Sequence, residues 1–147
     1  MSLDEATNSQ NTAANPDRST WLSANAGSGQ TRVLTDRVAR LLLRGVEPQN
    51  ILCLTYTKAA ASEMQNRLFS TLGSWAMVAD NELKDKLRNL GEAPDDDLSN
   101  ARRLFAGAIE APGGLKIQTI HSFCSAVLRQ FPLEAGISPQ FRELDEV

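Results

Sequence analysis

Residues 24–31 read Ala-Asn-Ala-Gly-Ser-Gly-Gln-Thr, with a short apolar run (residues 20–23, Thr-Trp-Leu-Ser) before them and a helical pattern after them. That order, strand then glycine-rich loop then helix, constrains the fold more than any other segment. Small residues at Ala26, Gly27, Ser28 and Gly29 let successive backbone N–H groups turn inward on one anion, and the following helix offers it the positive end of its dipole. In the complete phosphate-binding pattern a lysine stands before the threonine and reaches the β and γ phosphates, while the threonine hydroxyl binds magnesium. Thr31 is present here, but Gln30 occupies the lysine's place. Leu34, Val38, Leu41 and Leu42 then form one apolar helix face, which Gly45 and Pro48 bring to an end.

The next apolar runs continue an α/β order. Residues 51–55 (Ile-Leu-Cys-Leu-Thr) read as a second buried strand, and with the helix before it they predict a right-handed βαβ unit with residues 20–23. Met64, Leu68, Leu72 and Trp75 recur at steps of four, four and three, a second helix. From about residue 76 to 114 the pattern changes to a helical insertion. It holds a charged helix (81–90), an acidic turn (92–97) read as a solvated loop, and a stripe of Leu98, Ala101, Phe105, Ala108 and Ile109 capped by Asp97. Residues 115–119 (Leu-Lys-Ile-Gln-Thr) alternate as a third strand, and a last helix carries Cys124, Val127, Leu128 and Phe131 on one face until Pro132. The expected fold is therefore an α/β parallel sheet with flanking helices, interrupted by the insertion.

Composition sets bounds. The chain has 147 residues, 41% of them hydrophobic and 22% charged, enough for an ordinary globular core. Residues 1–19, rich in Asn, Ser, Thr and Ala, read as a flexible or extended lead-in, with residues 20–147 as the folded part. No apolar stretch is long enough to span a membrane, and the start has no hydrophobic signal core, so a cytoplasmic location is expected. Cys53 and Cys124 lack metal-ligand spacing and read as reduced core residues. With a net charge of −3, nucleic-acid binding needs a local patch rather than an overall basic field.

Ligands of parallel sheets bind beyond the carboxyl ends of the strands, so the segments that follow each strand matter most. After the second strand come Thr55-Tyr56-Thr57-Lys58-Ala-Ala-Ala-Ser-Glu-Met, and at the end of the third come Thr119-Ile-His121-Ser-Phe123-Cys. Two readings stand side by side. In one, Thr55 and Thr57 cap the helix that follows them, Tyr56 fills the edge of the core and His121 is structural. In the other, Thr55, Thr57 and Lys58 grip a backbone phosphate at a helix start, Tyr56 stacks on a splayed base, and His121 donates to a phosphate.

The three motifs in this order resemble superfamily 1 DNA helicases of the UvrD/Rep type, whose first motor domain carries A-x-A-G-S-G-K-T, L-T-[FY]-T-x-x-A-A-x-E-M and T-x-H-x-F. The segments around Trp21, Ile51 and Pro112 are further similar to helicase-nucleases of the AddA type in double-strand-break repair, over about residues 10–146. The resemblance implies a RecA-like P-loop motor domain using ATP and Mg2+. It implies that Gln10 reads the adenine, that Ala26, Gly27, Ser28, Gly29 and position 30 hold the triphosphate, and that Thr31 binds magnesium. It implies DNA contacts from Thr55, Tyr56, Thr57, Lys58, Thr119, His121 and Phe123, single- and double-stranded DNA as partners, and a second helicase-nuclease subunit, without a membrane.

Two departures qualify it. Gln30 supplies no charge against the γ-phosphate, so negligible turnover is expected, with nucleotide binding retained through backbone N–H groups. An apolar strand ending in Asp-Glu is missing, since Leu144-Asp145-Glu146 follows Arg142-Glu143, so a partial motor domain is expected. The alternative is a module that binds nucleotide or DNA without hydrolysis. A small-molecule kinase on the same loop leaves residues 55–64 and 119–124 without a purpose.

Overall fold

The computed structural model of the chain describes residues 5–23 and 29–142. Its elements in order are α1 (Glu5–Ala13), α2 (Gln30–Leu43), a 3-10 turn (Pro48–Asn50), β1 (Leu52–Thr55), α3 (Lys58–Met77), α4 (Asp80–Asn89), α5 (Ser99–Glu110), β2 (Lys116–Thr119) and α6 (Ile120–Gln130). β1 and β2 pair in parallel, with Leu52 opposite Lys116 and Thr55 opposite Thr119. The crossover between them contains α3, α4 and α5, so the chain is α/β with a short sheet and flanking helices.

α3 is the element around which the rest packs. Met64, Leu68, Leu72 and Trp75 are all buried, which is the stripe that the sequence predicts. α2, α5 and β2 lie against it, and α4 adds Leu83 and Leu87 to the same core. Phe69 of α3 meets Phe105 of α5 edge to face, with ring centroids 6.2 Å apart. Arg102 of α5 closes the carboxyl end of α3 by donating to the carbonyls of Trp75, Ala76 and Val78 and to the Asp80 carboxylate. α2 ends at Arg44 because Gly45 takes φ 81°, which lets Gly45 N donate to Leu42 O and Val46 N to Leu41 O. Asp97 accepts from Ser99 N at 2.9 Å, one residue ahead of the α5 cap position, and that N–H holds its carboxyl below the ordinary value.

Several expectations are corrected. Residues 20–23 are not a strand: β1 and β2 pair with each other, and Trp21 is 94% exposed. A four-residue run becomes a strand only where a neighbour supplies ladder partners, so the predicted βαβ unit is replaced by the β1–β2 crossover. Residues 5–13 are a helix rather than an extended lead-in. α1 buries no residue of its own, and hydrogen bonds from α2 fix it and the turn behind it. On α2, Leu34 is 48% exposed while Val33, Val38, Ala39 and Leu42 are buried, and on α5 Ile109 is exposed. α6 buries only Ser125. Cys124, Val127, Leu128 and Phe131 are exposed, because among the described residues α6 packs mainly against the short sheet. Cys124 is therefore not a core residue, whereas Cys53 is half-buried and burial pushes its thiol up. Among the described residues no helix is long and apolar enough to cross a membrane.

Candidate functional site

The glycine-rich segment ends where α2 begins. Gly29 precedes it at φ 93° and ψ 9°, a left-handed conformation that side-chain-bearing residues rarely adopt, and its carbonyl accepts from Val33 N at 3.0 Å. The N–H groups of the first turn of a helix point along its axis without partners inside the helix, and the dipole adds positive potential there. Thr35, almost wholly buried one turn on, donates to Thr31 O at 2.7 Å and steadies that turn. Thr31 itself is half-buried and Gln30 is exposed. Ala26, Gly27 and Ser28 lie outside the described residues, as do Leu144, Asp145 and Glu146.

Gln10 comes to the same place from α1. A Cβ on Gly29 would stand 3.3 Å from Gln10 Nε2, so the amide fills the space that a side chain at position 29 would need. Beside this pair opens a cavity of about 510 Å³, lined by Thr20, Leu22, Gln30, Val33, Leu34 and Arg37 among others. The exposed Leu34 thus faces this cavity rather than the core.

The two strand-end motifs meet side by side, because Thr55 and Thr119 are register partners at the ends of β1 and β2. Thr55 Oγ1 donates to Thr57 O at 3.0 Å, which folds the turn between β1 and α3. Thr57 Oγ1 caps α3 by accepting from Ala60 N at 3.1 Å, and Thr119 Oγ1 caps α6 by accepting from Ser122 N at 3.1 Å. Thr119 is 7% exposed and its hydroxyl lies 2.9 Å from Ser122 Oγ. Two capped helix starts therefore share one edge of the sheet. Tyr56 stands out from that edge at 88% exposure, Lys58 and His121 are exposed, and Phe123 is half-buried. A hydroxyl that accepts from a backbone N–H keeps its own proton for another acceptor, so capping by Thr57 leaves a donor to spare.

Sequence reasoning missed the arginines that assemble this region. Arg37 donates to the carbonyls of Asn15, Pro16 and Arg18, and Arg40, 4% exposed, reaches α1 and the turn after α4. Their signal was present: Arg40 falls between Val38 and Leu42 on the apolar face of α2, a position that a solitary charge occupies only with partners.

The family described as UvrD/REP helicase N-terminal domain matches residues 6–147. Proteins named as subunits of an ATP-dependent helicase/nuclease are similar to the chain. The one from Ligilactobacillus salivarius is 33% identical over 125 residues, covering 85% of this chain and 9% of that protein. The one from Enterococcus faecalis is 36% identical over 130 residues, covering 88% and 9%. The one from Lactobacillus johnsonii is 31% identical over 141 residues, covering 95% and 10%. The chain thus spans about a tenth of the length of these relatives.

Proposed function

The chain belongs to the UvrD/REP helicase N-terminal domain family, and from that premise we propose that it is the nucleotide-binding part of an ATP-dependent DNA helicase-nuclease acting in double-strand-break repair in the cytoplasm. The observation that carries this reading is the approach of Gln10 to Gly29 at the start of α2, where Gln30 lines a cavity of about 510 Å³. Gln10 reads the adenine, the α2 start with Ala26, Gly27, Ser28 and Gly29 holds the phosphates, and Thr31 holds Mg2+. Bound Mg·ATP supplies the phosphoanhydride whose cleavage drives strand movement in such motors. Gln30 gives the γ-phosphate an amide donor without charge. Loss of one well-placed donor to a transition state costs about 3 to 4 kcal/mol, or roughly 10²- to 10³-fold in rate, so this site binds nucleotide and scarcely turns it over.

Single-stranded DNA lies along the edge where α3 and α6 begin. Lys58 and the Thr57 hydroxyl meet its phosphates, Thr55 holds the turn that presents them, Tyr56 stacks on a base, and His121 and Phe123 continue the track beyond Thr119. The exposure of Tyr56 supports this over the reading in which its ring fills the edge of the core. A second helicase-nuclease subunit completes the assembly.

Fluorescent ATP-analogue titration and oligonucleotide anisotropy on the 147-residue chain test the reading. Saturable binding of both, weakened by high salt for DNA, is the expected result. A folded chain that binds neither overturns it.

A further inference from the structure

α1 has little of its own to hold it in place. It is nine residues of mostly polar composition with no buried side chain, too short to be helical by itself. Yet it holds Gln10 against Gly29. One buried guanidinium ties its carboxyl-terminal half to the rest of the chain. The Arg40 side chain, 5% exposed, donates from Nη1 to the carbonyl of Asn11 at 2.8 Å, from Nε to Glu92 Oε1 at 2.6 Å and from Nη2 to the carbonyl of Gly91 at 3.4 Å. Asn11 Nδ2 in turn donates to the carbonyl of Asn89 at 2.9 Å. Glu92 also accepts from Arg44 Nη2 at 3.0 Å, and Arg44 Nη1 reaches Asp17 at 2.7 Å. A charge taken this far out of water persists only where its donors are matched, and here the matching groups come from α1 and from the turn after α4.

We propose that Arg40, held by Glu92 of the acidic turn, is a positioning residue that sets Gln10 for base discrimination. The inference rests on the reading of this region as a nucleotide site. Asn11 is the residue next to Gln10, so the grip on its carbonyl fixes where the Gln10 amide lies. An amide offers one donor and one acceptor, which match the N6 amino group and N7 of adenine together, whereas guanine presents two acceptors at the same edge. A displaced amide loses that distinction but leaves phosphate binding at the α2 start intact. The acidic turn, a plain solvated loop by its composition, thereby becomes part of the nucleotide site.

The test uses the full chain with Arg40→Met, Glu92→Ala and Gln10→Ala, read by hydrogen exchange of residues 5–14 and by the affinities of methylanthraniloyl-ATP and methylanthraniloyl-GTP. Arg40→Met and Glu92→Ala are expected to speed exchange in α1 at least tenfold with α3 unchanged, and to reduce the ATP-over-GTP preference to that of Gln10→Ala. Phosphate-dependent binding persists in all three. Should Arg40→Met fail to fold, Glu92→Ala, on an outer turn, gives both readouts. Unchanged α1 exchange overturns the fastening, and a preserved preference with a loosened α1 overturns its role in discrimination. An unsubstituted chain that binds neither analogue overturns the nucleotide reading and the discrimination with it, while the exchange result still decides the fastening.

Discussion

A tyrosine ring at 88% exposure on a sheet edge contributes little to folding, so Tyr56 separates binding from stability. Base stacking on an aromatic ring is worth about 1 to 3 kcal/mol. Tyr56→Ala is therefore expected to weaken oligonucleotide binding roughly tenfold or more by anisotropy, with an unchanged Tm. Asp36 behaves oppositely, as a residue whose burial matters. Desolvation raises its pKa above 3.8, opposed by Arg32 at 3.7 Å and by the more distant Arg67 and Arg40, with Lys86 lining the same groove. A carboxylate whose folded pKa is raised favours the folded state below its unfolded pKa, and that contribution is lost as pH rises through the folded value. Asp36→Asn should then raise Tm at pH 7, and the gain should fade as the pH drops below about 3.8. A gain that persisted undiminished in acid would show that burial of the charge is not its cause.

At the scale of elements, caps and stripes were legible where both partners are local. Thr57 before α3 was recognisable as a cap because an N-cap needs only a side-chain oxygen and the N–H two or three residues on, while the same role of Thr119 before α6 was not read. Thr57→Ala should cost about 1 kcal/mol in chemical denaturation, and Thr57→Ser should restore most of it. Residues 20–23 read as a strand because their apolar pattern is local, whereas a strand depends on a neighbour that four residues of sequence do not name. α1 was hidden for the same reason: its composition argues against a helix, and the arginines that hold it lie far along the chain, on α2. The α6 stripe was legible as a pattern, but periodicity says which residues share a face and not what covers it.

For the molecule as a whole, stability is concentrated where α2, α4 and α5 enclose α3, while α6 buries one residue. Amide exchange is accordingly expected to be slowest in α3 and fastest among the later helices in α6, and equal protection of the two would contradict this distribution. The sequence carried the family through three motifs, and the structure adds that two of them end adjacent strands while Gly29 of the third lies against Gln10. What no pattern disclosed was the set of long-range polar contacts that draw α1 and the acidic turn to α2, since a carbonyl leaves no trace in a residue type. We propose that this is an ATP site disabled at one side chain. The most direct measurement is ATP hydrolysis, with and without single-stranded DNA, by the longest polypeptide encoded with this segment, carrying Gln30 or Gln30→Lys. DNA-stimulated turnover is expected with lysine and roughly a hundredfold less, or lower still, with glutamine; equal turnover in the two, or none in either, would overturn the assignment.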